Sequence, residues 1–272
     1  MGKFLKLSAV YALAKDVKFD IVVHGELRDV VKLMSDLGYE GIELNIQNPF
    51  HVDVTSLRKV IEDFNLGVAA ISTGLSYLTY GYSLSSPNKE LRSNAIKFFK
   101  KYIELSVDLN SKKVVIGLAR GRCNKDVDCS RAKKLLRESL EVLNDYARHH
   151  NVILLFEPLN RYETKLVNKL SEALELIRGL SNVKILLDTF HALLEERNVY
   201  DAIEYAGPYL GHVHVADSNR LAPGLGMIDW ERVVYRLLKV GYRGYLSVEA
   251  RTEPSFKDML IVSIKTLRPL LL

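Results

Sequence analysis

Apolar and β-branched residues gather along the chain in eight short runs, at 4–11, 41–46, 67–72, 113–118, 152–157, 183–188, 210–215 and 245–249. After each run, apolar positions recur at helical spacing, so the pattern predicts strands alternating with helices. Residues 133–149 show this well, with Leu135, Leu136, Leu140, Leu143 and Tyr146 on one helical face. Alternation of this kind builds a parallel sheet, because each helix returns the chain to the end where the last strand began. Eight repeats at a spacing of about 30 residues predict closure into a (β/α)8 barrel. A doubly wound open sheet is the alternative, but it calls for a glycine-rich phosphate loop after the first strand, and no such loop occurs.

Several helix ends are marked. Asp53 precedes Leu57, Val60, Ile61 and Phe64, and Asp229 precedes a helix reaching Leu238; both stand at N-cap positions. Ser86-Pro87 predicts the start of a long helix through about Leu109, with Pro87 in its first turn. No linker, low-complexity segment or break in composition divides the chain, so residues 1–272 read as a single-domain TIM barrel.

Composition adds limits rather than detail. At 272 residues the chain matches one such barrel, and 48% hydrophobic with 26% charged residues excludes disordered and collagen-like classes. The formal charge of +5 comes from 38 basic and 33 acidic residues that alternate in sign. Without a basic run, this predicts no nucleic-acid partner. Lys6 interrupts the apolar stretch in residues 1–14, which reads as a first strand rather than a signal peptide. No run of about 18 apolar residues predicts a membrane span, and the expected location is the cytoplasm. Cys123 and Cys129 lie in one polar stretch with no second pair or histidine to complete a zinc pattern. Free thiols are the first reading and a short loop disulfide the second.

The last four strands carry the chemistry. Residues two apart in a strand share a face. Ile153, Leu155 and Glu157 therefore form one row, and Lys184, Leu186 and Asp188 another. His212 and His214 form a third, and Tyr245, Ser247 and Glu249 a fourth. Each row ends in an ionisable group at the C-terminal end, the face where barrel active sites lie. A single Glu or Asp at a strand end is ordinarily a helix cap or a solvated residue. Four in succession predict convergence, and three converging carboxylates would repel one another and resist ionisation on burial. A divalent cation removes both penalties. Oxygen-rich ligation with one imidazole suits Mn2+, Co2+ or Mg2+, and Zn2+ is compatible. Beyond the strand ends, Glu163, His191 and Arg220 occupy loops above the rim, where a substrate would lie.

At these residues the sequence resembles the ketose 3-epimerases of the xylose-isomerase-like TIM barrel superfamily, over essentially the whole chain. That resemblance implies one divalent metal, Mn2+ first, held by Glu157, Asp188, His214 and Glu249, with Glu163, His191 and Arg220 binding substrate. The stretches "STGLSYL", "VVIGLARGR", "FEPLNRYET", "LDTFH" and "HVADSNRLAPG" look closest to the 5-keto-L-gluconate epimerases, which act on keto-hexonic acids. The implied reaction moves a proton at a carbon next to a ketone through a cis-enediolate. Glu157 and Glu249 are the expected acid–base pair, one on each face of the sugar. Small-molecule sugars or sugar acids are the expected partners, and the resemblance implies a homo-oligomer. Arg120 and Arg122, just past the fourth run, are candidates for binding a substrate carboxylate; pairing with Asp126 and Asp128 is the alternative. An aldose–ketose isomerase or inosose-type dehydratase would use the same rim. An endonuclease IV-like nuclease would want extra histidines after the third and fourth runs, where Ser72-Thr73-Gly74 and Leu118-Ala119-Arg120 stand instead. A non-catalytic sugar-binding protein would not need two opposed glutamates.

Overall fold

In the computed structural model, which describes residues 5–14, 20–123 and 127–271, strands form at all eight predicted runs. They are β1 Lys6–Leu13, β2 Gly41–Ile46, β3 Gly67–Ser72, β4 Lys113–Ile116, β5 Ile153–Phe156, β6 Val183–Asp188, β7 Leu210–Val215 and β8 Tyr245–Val248. All neighbours pair in parallel and β8 closes on β1, giving a closed eight-stranded barrel. Ten α-helices among the described residues surround it. They are α1 Leu27–Leu37, α2 Val54–Asp63, α3 Gly74–Tyr80, α4 Lys89–Asp108, α5 Cys129–His149, α6 Leu170–Ile177, α7 Thr189–Glu195, α8 Val199–Ala206, α9 Trp230–Lys239 and α10 Phe256–Leu267. No helix among the described residues is long and apolar enough to cross a membrane.

Alternation along each strand divides the core. Outward side chains such as Leu44, Ile71, Phe156 and Val213 pack beneath the helices in one continuous cluster. Each such residue, removed from water, contributes about 1.5–3 kcal/mol. Inside the barrel, Ala70, Val115, Leu155 and Leu186 form a small apolar layer. The N-terminal end is filled by the Tyr245 ring. A Cβ on Gly41 would lie 2.5 Å from that ring, and one on Gly67 would lie 2.6 Å from its hydroxyl. Glycine at these two strand starts is what admits the tyrosine.

The caps at Asp53 and Asp229 form as expected, each side chain accepting from a backbone N–H three residues on, at 3.1 and 3.0 Å. Two helix starts differ from expectation. The long helix α4 begins at Lys89, because Asn88 caps it by accepting from the N–H groups of Glu90 and Leu91; Pro87 lies outside. Helix α5 begins at Cys129, capped by Asp128, which accepts from Arg131 N at 2.9 Å. That early start corrects the free-thiol reading of the cysteines. It turns the loop back so that Cys123 and Cys129 stand 5.0 Å apart at Cα, within bridging range, and they form a disulfide. Asp126, a candidate partner of the two arginines, lies outside the described residues.

Candidate metal centre

Four strand ends place the four predicted ligands. Glu157 follows β5, Asp188 ends β6, His214 lies in β7 and Glu249 follows β8. Asp188 and His214 are register partners across the β6–β7 pair, which sets them side by side. His214 Nδ1 lies 3.5 Å from Glu157, 4.0 Å from Asp188 and 3.5 Å from Glu249. One ligand atom from each of the four residues falls within 4.8 Å of every other, and all four residues are buried.

Burial of this much charge has consequences. Desolvation raises the Glu157 carboxyl above its ordinary range, against the pull of His214. Desolvation, with the charges of Glu157 and Glu249, pushes Asp188 up to about 7. Burial alone would depress His214, but Glu43 and Glu249 attract a proton more strongly and hold its pKa well above the usual imidazole range. The protein without a cation thus keeps protons where positive charge is wanted. His214 Nδ1 and Glu157 Oε1 are also buried with no hydrogen-bond partner among the described residues. Two orphaned ligand atoms, within a convergent set of three carboxylates and one imidazole, fit a divalent cation that displaces those protons.

The other nitrogen of His214 touches a residue that sequence reasoning missed. Glu43, in the middle of β2, accepts from His214 Nε2 at 2.9 Å and from His212 Nε2 at 2.8 Å. Burial would raise its pKa, but the charges and hydrogen bonds of the two histidines prevail and hold it well below the carboxylate range. A charged residue inside the apolar run "GIELNI" was the available signal. Asn45, Ser72 and Thr73, also missed, line the open side of the site.

Above the ligands lies a narrow cleft, open to solvent and lined by Glu157, Glu163, His191, His214, Arg220 and Glu249 among others. Asn160 Oδ1 accepts from Tyr162 N and Glu163 N, so its amide nitrogen is the donor to His191 Nδ1 at 2.8 Å. This leaves the proton of His191 on Nε2. Burial, with Arg220 nearby, holds that imidazole neutral. Arg220 donates to Glu163 at 3.1 Å and lies 5.1 Å over the Phe190 ring. Its backbone adopts a left-handed φ of 62°, uncommon for a non-glycine residue. Hydrogen bonds from Arg220 N to Asp217 O, 2.8 Å, and from Arg251 N to Arg220 O, 2.7 Å, hold it there.

Arg120 does not join the cleft, which corrects its expected role. One turn of 3-10 helix, Leu118–Arg120, folds Arg120 back beneath the rim. There it is fully buried, donating to Gly117 O and Val167 O at 3.0 Å each and stacking 4.6 Å from the Phe156 ring. Arg122 is exposed and lies 5.8 Å from the Tyr77 ring. Gly117 packs against the centre itself: a Cβ there would stand 2.6 Å from Glu157 Oε2.

Comparison with known proteins places the chain in a family. The family described as "Xylose isomerase-like TIM barrel" matches residues 31–270. A D-psicose 3-epimerase of Ruminiclostridium cellulolyticum is 31% identical over 236 residues, 80% of this chain and 76% of the relative. A 3-dehydro-D-guloside 4-epimerase of Escherichia coli is 27% identical over 233 residues, 81% of this chain and 85% of the relative. The crystal structure of a D-psicose 3-epimerase with D-tagatose, from Clostridium cellulolyticum, superposes with a TM-score of 0.83 at 22% identity, covering 98% of this chain and 99% of that one.

Proposed function

We propose, from the premise that the chain belongs to the xylose isomerase-like TIM barrel family and fits its ketose 3-epimerases, that it epimerises a sugar at a carbon next to a ketone. The observation that carries this reading is the unpartnered His214 Nδ1 facing three buried carboxylates beneath an open cleft. Glu157, Asp188, His214 and Glu249 would hold the metal, Mn2+ first, with Co2+, Mg2+ and Zn2+ compatible with the same donors.

Carboxylates with pKa values near 4 are weak bases for a carbon acid, and each unit of mismatch costs about 1.4 kcal/mol. When bound, the cation would offset that cost by stabilising charge on the substrate's ketone oxygen. Glu157 and Glu249 follow β5 and β8 and meet near His214. One takes the proton from one face of the sugar and the other returns a proton to the opposite face, with roles reversed in the back reaction. His191 Nε2–H donates to a substrate oxygen. Arg220 binds a second oxygen, and Glu163 accepts from a hydroxyl while neutralising Arg220.

The named relatives act on D-psicose and on 3-dehydro-D-guloside. Arg220 is the one guanidinium lining the cleft among the described residues, and Glu163 already pairs with it. This favours an uncharged ketose or ketoside. A keto-hexonic acid of the 5-keto-L-gluconate or D-tagaturonate type, to which the loop resemblance points, would have to draw Arg220 away from Glu163. The test is a screen of D-psicose, D-tagatose, L-ribulose and 5-keto-L-gluconate with chelator-treated protein, with and without Mn2+ or Co2+. Chelation should abolish epimerisation and either ion should restore it. Full activity in a metal-free preparation would refute the metal assignment, and aldose formation without epimerisation would move the reading to an isomerase.

A further inference from the structure

Glu43 sits in β2, separated from β7 around the barrel by β1 and β8, yet its carboxylate reaches across to both β7 histidines. The side chain is fully buried. Its Oε1 accepts from His214 Nε2 at 2.9 Å and from the Ser72 hydroxyl, and its Oε2 accepts from His212 Nε2 at 2.8 Å. The same His212 nitrogen lies 3.0 Å from Ser247 Oγ, which lies 2.5 Å from Ser8 Oγ. An ionised carboxylate accepts and cannot donate, so the proton of each contacted histidine belongs on Nε2. For His214, once a cation displaces the second proton, that leaves a lone pair on Nδ1, the atom facing Glu157, Asp188 and Glu249.

We propose that Glu43 is the positioning residue of the metal centre: it holds His214 in the one tautomer and ring orientation that presents Nδ1 to the cation, while His212 and Ser72 hold Glu43. This rests on the reading of Glu157, Asp188, His214 and Glu249 as metal ligands. Glu43, His212 and His214 are themselves close enough to suggest a second metal cluster. In the structure each carboxylate oxygen is already taken by direct donors, Oε1 by His214 Nε2 and the Ser72 hydroxyl and Oε2 by His212 Nε2, so we read the trio as a hydrogen-bonded support for the centre above it. Glutamine could not do the same work. Its one acceptor oxygen and its amide N–H groups would face three donors, so at least one histidine would have to move its proton to Nδ1. If that histidine is His214, the ligand atom is lost.

The test reads metal binding rather than turnover. Mn2+ affinity is measured by the EPR signal of free Mn2+ for the unsubstituted protein and for Glu43→Gln, together with the visible spectrum of bound Co2+. The expected result is 10- to 100-fold weaker Mn2+ binding, the range for removing a partner of a metal-bound histidine, and an altered Co2+ spectrum. Affinity within twofold and an unchanged spectrum in Glu43→Gln and also in Glu43→Ala, which removes both acceptor oxygens, would overturn the proposal. If Glu43→Gln does not fold, long-range 1H–15N NMR of the unsubstituted, 15N-histidine-labelled protein with Zn2+ decides. Metal on Nδ1 with the proton on Nε2 supports the proposal, and metal on Nε2 overturns it. Failure of the unsubstituted protein to bind any of these ions would overturn the metal reading and this inference together. Normal metal binding without epimerisation would overturn only the reaction proposed above.

Discussion

Replacing Gly117 with alanine tests how tightly the centre is built. The added carbon would lie 2.6 Å from Glu157 Oε2, whereas ordinary contact begins at 3.4 Å, so the carboxylate has to retreat by about 0.8 Å. Gly117 has a negative φ, −94°, so the cost falls on the glutamate rather than on left-handed backbone. A displacement near 1 Å at a reacting group costs about 100-fold. We expect kcat to fall by about 30- to 100-fold and Mn2+ affinity to weaken in the same variant. Any loss of global stability is read separately, from thermal unfolding of the same variant. Epimerisation rates at saturating metal, Mn2+ titration and thermal unfolding, all on one preparation, separate these effects. A kcat within threefold of the unsubstituted protein would refute the reasoning, as would a loss of activity matched by a loss of folded protein.

Glu157→Gln and Glu249→Gln should each lower kcat by at least about 100-fold, since general acid–base catalysis contributes about 10²–10⁴-fold and each residue is also assigned as a ligand. With the unsubstituted protein in D2O, one deuterium should appear at the epimerised carbon; near-normal turnover in either metal-loaded variant would remove that residue from the pair. Arg120→Ala should cost about 2–4 kcal/mol in stability, because it strands the Gly117 and Val167 carbonyls, and should lower kcat/KM equally on D-tagatose and 5-keto-L-gluconate. A loss confined to the acid would restore this arginine to the substrate site. Reducing the Cys123–Cys129 bond, which spans a sequence separation of 6, should lower Tm by several degrees, since closing so short a loop is worth about 2 kcal/mol. An unchanged Tm with both thiols titratable would show that the cap at Asp128 holds the loop unaided.

The rim was legible in the sequence because a strand's period of two leaves little freedom. Once Leu155, Leu186 and their neighbours are assigned inward, Glu157 and Asp188 follow. Glu43 was not legible, because the partners that give it meaning lie 169 and 171 residues away in sequence, and only closure of the barrel brings β2 and β7 face to face. Arg120 misled for a local reason: a single 3-10 turn decides whether a side chain beyond a strand end looks up into the cleft or down into the packing. The cysteines misled because α5 opens with polar residues, so its apolar period announces itself only at Leu135, six residues after the bonded Cys129 begins the helix.

The tyrosine lodged over Gly41 and Gly67 has a kinetic meaning as well as a structural one. With that ring below and the apolar layer of Val115, Leu155 and Leu186 above it, the barrel is a blind alley rather than a tunnel. Traffic to the four rim residues passes through a single doorway in both directions. An epimer that has just formed occupies the berth its precursor needs, so the two compete for it directly. Glu163 and Arg220, paired at 3.1 Å, stand in the lining of that doorway.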